Sequence, residues 1–248
     1  MKAKTFLPAA FFGALLMFIT VDAQRPGDLR GAWQGTAPDL HADLEVTMIC
    51  SERYFSVALY NMESKAFAGT HGGSYRIEGD EMVVTLEFHS NNPELIGKEV
   101  RQKITFKDRA FTTVDPAGSK AEWKQLDDGT PGKLAGAWLI TGRYRNGQLS
   151  ERTPGARRTM KILSGTRFQW IAYNVDTKEF SGTGGGSYTT RDGKYTEDIE
   201  FFSRDNSRVG ASLTFDFALE DGRWRHKGLS SKGDPIDEVW TRREKIGL

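Results

Sequence analysis

The dominant period along this chain is two. Between Glu81 and Ser90, Met82, Val84, Leu86 and Phe88 fall on one face, and Glu81, Thr85, Glu87 and His89 on the other. Phe55, Val57 and Leu59 alternate with Ser56, Ala58 and Tyr60. Val100, Gln102, Ile104 and Phe106 alternate with Arg101, Lys103, Thr105 and Lys107. Later in the chain Phe168, Trp170 and Ala172 repeat the pattern, as do Ala211, Leu213, Phe215 and Phe217. Successive side chains of a strand point to opposite faces, so this alternation predicts half-buried antiparallel strands. Glu78-Gly79-Asp80, Arg191-Asp192-Gly193 and Glu220-Asp221-Gly222 supply turns between them. Only Asn92–Gly97 suggests a helical turn, and a short one. Seven or eight strands in succession predict an up-and-down barrel or a sandwich.

The pattern occurs twice. Adding 113 to each number from Phe55 to Ser90 aligns the halves without a gap. Phe55 meets Phe168, Tyr60-Asn61 meets Tyr173-Asn174, and Glu87-Phe88 meets Glu200-Phe201. The phrase GTHGGSY at Gly69–Tyr75 meets GTGGGSY at Gly182–Tyr188. Upstream, Leu29-x-Gly31-Ala32-Trp33 matches Leu134-x-Gly136-Ala137-Trp138. Downstream, Thr105-Phe106 is paired with Thr214-Phe215, and Trp123 with Trp240. The halves meet in the polar, turn-rich Asp127–Gly132.

Gly31-Ala32-Trp33 and Gly136-Ala137-Trp138 resemble the Gly-x-Trp of the first lipocalin strand, whose Trp plugs the closed end of a barrel. Phe168-x-Trp170-x-x-Tyr173, Gly184-Gly185-Gly186-x-Tyr188, Tyr195-x-Glu197-x-Ile199-Glu200 and Glu238-x-Trp240 resemble the lipocalin-like (calycin) domains of uncharacterised secreted bacterial proteins. Leu95-Ile96-Gly97-Lys98 adds that group's short turn in the first half. The resemblance covers nearly all of the chain after its N-terminal segment and implies a small calycin barrel in each half, with no established activity attached. The expected fold class is therefore all-β: two tandem up-and-down antiparallel barrels, lipocalin-like, at residues 28–126 and 133–244. Val57 stands against Trp170, His71 interrupts the glycines and Ala121 stands against Glu238, so the two interiors are expected to differ.

Residues 1–23 read as a signal peptide: Lys2 and Lys4, an apolar run from Phe6 to Val21, and small residues at Val21 and Ala23. This predicts a secreted or periplasmic protein without a membrane span once the segment is cleaved. Its removal takes away Lys2, Lys4 and Asp22 and leaves 32 cationic and 32 anionic side chains. A neutral balance argues against a nucleic-acid partner. Cys50 is the single cysteine, so the cores must hold each half without an intramolecular disulfide.

Candidate chemistry is sparse. The glycine phrases are followed by no helix pattern and no Gly-Lys-Ser/Thr, so they do not read as phosphate loops. They read as places where a strand bends. Alternation puts Phe67, Gly69, His71, Gly73 and Tyr75 on one, inner, face. There the glycines either leave room for a ligand or let an aromatic ring pack close. His41, His71, His89 and His226 show no metal-ligand spacing, and no Gly-x-Ser-x-Gly elbow appears. Glu87 and Glu200 fall opposite the apolar face and are expected to be exposed or cross-strand paired; Tyr60 and Tyr173 are placed between the barrels. No catalytic residue, metal or cofactor is expected. The expected function is binding of a small, mostly apolar molecule by aromatic inner walls. Trp33, Phe55, His71, Tyr75 and Phe88 would form one, and Trp138, Phe168, Trp170, Tyr188, Phe201, Glu238 and Trp240 the other. The alternatives are a structural or protein-interaction module with filled barrels, and a calycin-type enzyme acting on a lipid or carbohydrate.

Overall fold

A computed structural model describes residues 28–36 and 43–248. The expected signal peptide, residues 1–23, and His41 lie outside the described residues. The chain forms two closed antiparallel barrels with almost no helix. The first is built from β1 (Gly31–Thr36), β2 (Glu45–Cys50), β3 (Tyr54–Tyr60), β4 (Phe67–Glu78), β5 (Glu81–His89), β6 (Glu99–Lys107), β7 (Ala110–Val114) and β8 (Lys120–Asp127). These strands neighbour one another in chain order, and β1 closes the barrel on β8. The second half continues with β9 (Gly136–Arg145), β10 (Gln148–Glu151), β11 (Arg157–Leu163), β12 (Arg167–Asn174) and β13 (Phe180–Arg191). It ends with β14 (Lys194–Phe202), β15 (Ser212–Glu220), β16 (Arg223–Leu229), β17 (Pro235–Arg242) and a helical turn α1 (Arg243–Ile246). Here β17 pairs back onto β9 to close an eight-stranded ring, while β10 is a hairpin extension of β9. Among the described residues, no helix is long and apolar enough to cross a membrane.

The register carries one period of 113 further than the sequence pattern suggested. Met82 pairs with Gln102 and Tyr195 with Phe215. Ile104 pairs with Thr113 and Phe217 with His226. The structural counterpart of Phe215 is thus Gln102, and the match of Thr105-Phe106 to Thr214-Phe215 is corrected. Two identical letters outweighed the strand pairing there.

Each barrel has its own core, and a third core lies between them. Ile49, Tyr54 and Phe88 of the first barrel pack with Leu139, Met160, Ile162, Ile171 and Tyr173 of the second. Strands at this junction are buried on both faces, so β2 reads as a nearly continuous buried run. The polar contacts across the junction obey a local two-fold. Tyr60 Oη donates to Glu200 at 3.0 Å, and Tyr173 Oη donates to Glu87 at 2.7 Å. Phe67 stacks on its own counterpart Phe180, with ring centroids 6.3 Å apart. Gln169 Nε2 donates to Thr70 and Thr183 at 2.9 and 3.0 Å. Tyr60 and Tyr173 therefore lie between the barrels, as expected. Glu87 and Glu200 do not lie on an exposed sheet face. They are the acceptors of the junction, and the second barrel covers the face that looked solvent-directed in a single sheet.

The connection between the barrels is tied down. The buried Asp127 carboxylate accepts from Gly129 N at 2.9 Å, and from Ser164 Oγ, Gly165 N and Thr166 Oγ1 at 2.8, 2.9 and 2.6 Å. The last strand of one barrel thereby grips the β11–β12 turn of the other. From the far end, Arg243 on α1 reaches back to the first barrel. Its guanidinium lies 3.8 Å from the Tyr54 ring centroid and donates to Glu87 at 2.8 Å.

Candidate functional site

Each barrel buries the tryptophan of the repeated Leu-x-Gly-Ala-Trp in its core. Trp33 Nε1 donates to the Leu29 carbonyl, and Trp138 Nε1 to the Leu134 carbonyl, both at 2.8 Å. Each indole is buried with its polar atom satisfied four residues upstream. Gly31 must be glycine: its φ is +123°, and a Cβ would strike the Asp127 backbone. Trp33 stands edge-on to Phe111, with centroids 4.7 Å apart.

The first barrel contains a cavity of about 310 Å³. Its wall includes Met48, Phe55, Val57, Leu86, Phe111 and Trp123, with His71, His89, Gln102 and Thr113 as polar members. Trp123 Nε1 donates to Thr113 Oγ1 at 3.2 Å. Of the residues expected here, Phe55 and His71 line the cavity. Trp33 and Tyr75 belong to the surrounding core, and Tyr75 Oη is tied to the Ser51 carbonyl at 2.7 Å. Phe88 is outside the cavity, against Tyr173 of the other barrel at 5.0 Å between centroids.

Two bulges account for the difference. Gly72 pairs with Phe88 but Gly73 pairs with Leu86, which leaves Glu87 as an extra residue in β5. One extra residue reverses the alternation beyond it. Phe88 then points into the junction and His89 into the cavity, the opposite of what strict alternation from Met82 predicts. Gly73 permits this, because a Cβ there would run into the backbone of Thr85 and lie 2.8 Å from Glu87 N. A second bulge, where Gly69 pairs with Leu59 and Phe67 with Tyr60, turns Phe67 outward as well. The placement of Phe67 on the inner face with His71 and Tyr75 is corrected accordingly. The second barrel repeats both bulges, so Phe201 and Phe180 also lie in the junction.

His71 and His89 are cross-strand partners whose rings stack at 5.4 Å between centroids. Burial, and then the neighbouring His89, pull His71 down to about 4, while burial lowers His89. Both rings are neutral at pH 7. His89 was missed in the sequence because the bulge is invisible to periodicity. The Gly-Gly pair facing it was the available signal.

The second barrel is filled. At the positions facing its interior, Lys161, Trp170, Tyr195, Phe215, Trp224, His226 and Glu238 replace Met48, Val57, Met82, Gln102, Phe111, Thr113 and Ala121. Trp170 takes the space that His71 occupies in the first barrel. A Cβ at Gly184 would lie 2.7 Å from its Nε1. Trp138, Phe168, Tyr188 and Trp240 are core residues of this filled interior. Tyr188 Oη donates to the Ser164 carbonyl at 2.7 Å.

A buried polar cluster sits within it. Lys161 Nζ lies 2.6 Å from Glu197 Oε1, which also accepts from Tyr195 Oη at 2.8 Å. The ammonium is ringed by Tyr195, Phe215, Trp224 and Trp240 at 5.0, 5.7, 5.2 and 5.5 Å from the centroids. Such cation–π contacts compensate part of the lost hydration. Burial, and then the Lys161 charge, hold His226 down to about 4. Its Nδ1 stands 3.7 Å from Glu238, too far for a hydrogen bond. Glu238 itself reaches the exposed Arg143 at 3.2 Å, so it closes the rim. Cys50 is buried, and burial pushes its thiol well up, away from the reactive thiolate. Among the described residues no cluster of three or more His, Cys, Asp or Glu could hold a metal. No protein-family model matches this chain, and no curated protein is significantly similar to it.

Proposed function

We propose that this is a secreted or periplasmic lipocalin-like protein whose first barrel binds a small, mostly apolar molecule, and whose filled second barrel supports it. The observation that carries the reading is the contrast between two interiors on one scaffold. The first holds a cavity of about 310 Å³, and the second fills the same positions with larger side chains. The volume falls at the lower end of small-molecule pockets, about 300–1,000 Å³, and the wall is apolar with a few polar groups, as such pockets are. The apolar N-terminal segment supports export. The alternative of a filled structural module describes the second barrel alone. An enzymatic reading finds little support, since the described cavity wall carries no carboxylate, amine or thiol beside its two histidines.

The test is to write the second barrel's solution into the first. Val57→Trp with His71→Gly reproduces Trp170 and Gly184. The double variant is expected to keep its circular dichroism spectrum and lose at least about tenfold in affinity for a neutral fluorescent probe such as phenylnaphthylamine. Undiminished binding by the folded variant would remove the first barrel as the site.

A further inference from the structure

The polar groups on the cavity wall of the first barrel are Gln102, Thr113 and the rung of the β4–β5 ladder where His71 faces His89, and only that rung places two imidazoles side by side. The backbone N–H groups of Asn91 and Asn92 donate to His89 Nδ1 at 3.2 and 3.0 Å. An acceptor so occupied carries no proton, so the proton is on Nε2 and His89 retains one N–H donor. His71 makes no hydrogen bond to any described residue; its neighbours are the Phe55 and His89 rings and the cavity. His71 is half-buried at the cavity wall, so its donor and acceptor are left for whatever fills the space.

Charge decides what that is. No Asp, Glu, Lys or Arg lines the cavity among the described residues. An ionised ligand would lose its hydration without a counter-charge. A carboxylate would find neutral N–H donors but no cation unless His71 were protonated, and burial opposes that protonation. A cation would meet aromatic rings, the Gln102 amide and the Thr113 hydroxyl, but no anionic side chain among the described lining residues. An uncharged oxygen accepts from the His89 N–H, and a hydroxyl can also donate to His71.

We infer that the cavity takes a neutral, mostly apolar molecule carrying one uncharged oxygen, a hydroxyl or a carbonyl, held by His71 and His89. The inference rests on the first barrel being a binding site, and the experiment separates the two. Phenylnaphthylamine bound to the purified protein is displaced at neutral pH by octane, octanol, octanone, octanoate or octylamine. Octanol or octanone is expected to act at roughly tenfold lower concentration than the other three. Whichever of the two is better assigns the oxygen as hydroxyl or carbonyl. In His71→Leu, and in His89→Phe, which copies Phe202 of the second barrel, that preference over octane is expected to disappear. The second variant keeps the test open if the first does not fold. Octanoate or octylamine equal to octanol, or octane equal to it, overturns this inference and leaves the binding site standing. A probe that does not bind at all overturns both.

Discussion

At the scale of single residues, the halves differ by what each side chain asks of its surroundings. Met48 needs only volume, while its counterpart Lys161 needs an anion and a cage of rings. A buried ion pair is weak evidence for stability, because desolvation offsets the Coulomb attraction, but breaking one partner is expensive. Lys161→Met is therefore expected to destabilise the protein by about 3–5 kcal/mol, since Glu197 remains buried without its cation. Adding Glu197→Val and Tyr195→Phe removes the stranded carboxylate and the hydroxyl that donates to it. The triple variant should recover most of the loss. Urea unfolding of the three proteins measures this, and a single variant as stable as the parent would show that the pair contributes nothing.

At the scale of elements, the decisive feature is the bulge between β4 and β5. It inserts Glu87, sends Phe88 to the junction and brings His89 into the cavity. The glycine phrase is what makes it fit, since the backbone of β5 presses against Gly73. Gly73→Ala should cost about 1–3 kcal/mol through overpacking, whereas Gly155→Ala, where a Cβ meets nothing within 4 Å, should be close to neutral. Equal urea midpoints for the two variants would show that the bulge tolerates a side chain. The same phrase solves a different problem in the second barrel, where Gly184 admits the Trp170 indole.

At the scale of the whole molecule, two barrels behave as one body because they share a core and exchange acceptors. Glu87 takes hydrogen bonds from Tyr173, Arg158 and Arg243, all on the other barrel or beyond it. Burial pushes its carboxyl upward, but the Arg243 charge and the bonds from Arg243 and Tyr173 outweigh it and hold it below the usual carboxylate value. Glu87→Ala would leave the fully buried Arg243 without its anion. The expected cost is about 3–5 kcal/mol, and calorimetry should show one transition for the parent and, for the variant, a lowered transition or two. An unshifted single transition would mean that the junction is held by its apolar contacts alone.

The alternation of apolar and polar residues, and its recurrence after 113 positions, were enough to determine strands and duplication, while the choice of barrel over sandwich came from the resemblance to lipocalin-like domains. Local periodicity records which face of a strand is buried. It also brought Phe55 and His71 to the right wall, and the exchange of Val57 for Trp170 marked the two interiors as different. Periodicity has no term for an inserted residue, so Phe88 and Phe201 were assigned to cavities they do not enter, and His89 to the wrong face. Nor does it know what covers the outside of a sheet. Only the docking of the second barrel made Glu87 and Glu200 buried acceptors rather than surface charges. Whether an interior is open or filled was likewise decided in three dimensions. It depends on the summed volume of side chains brought together from strands far apart in the chain, a quantity that no single stretch of sequence contains.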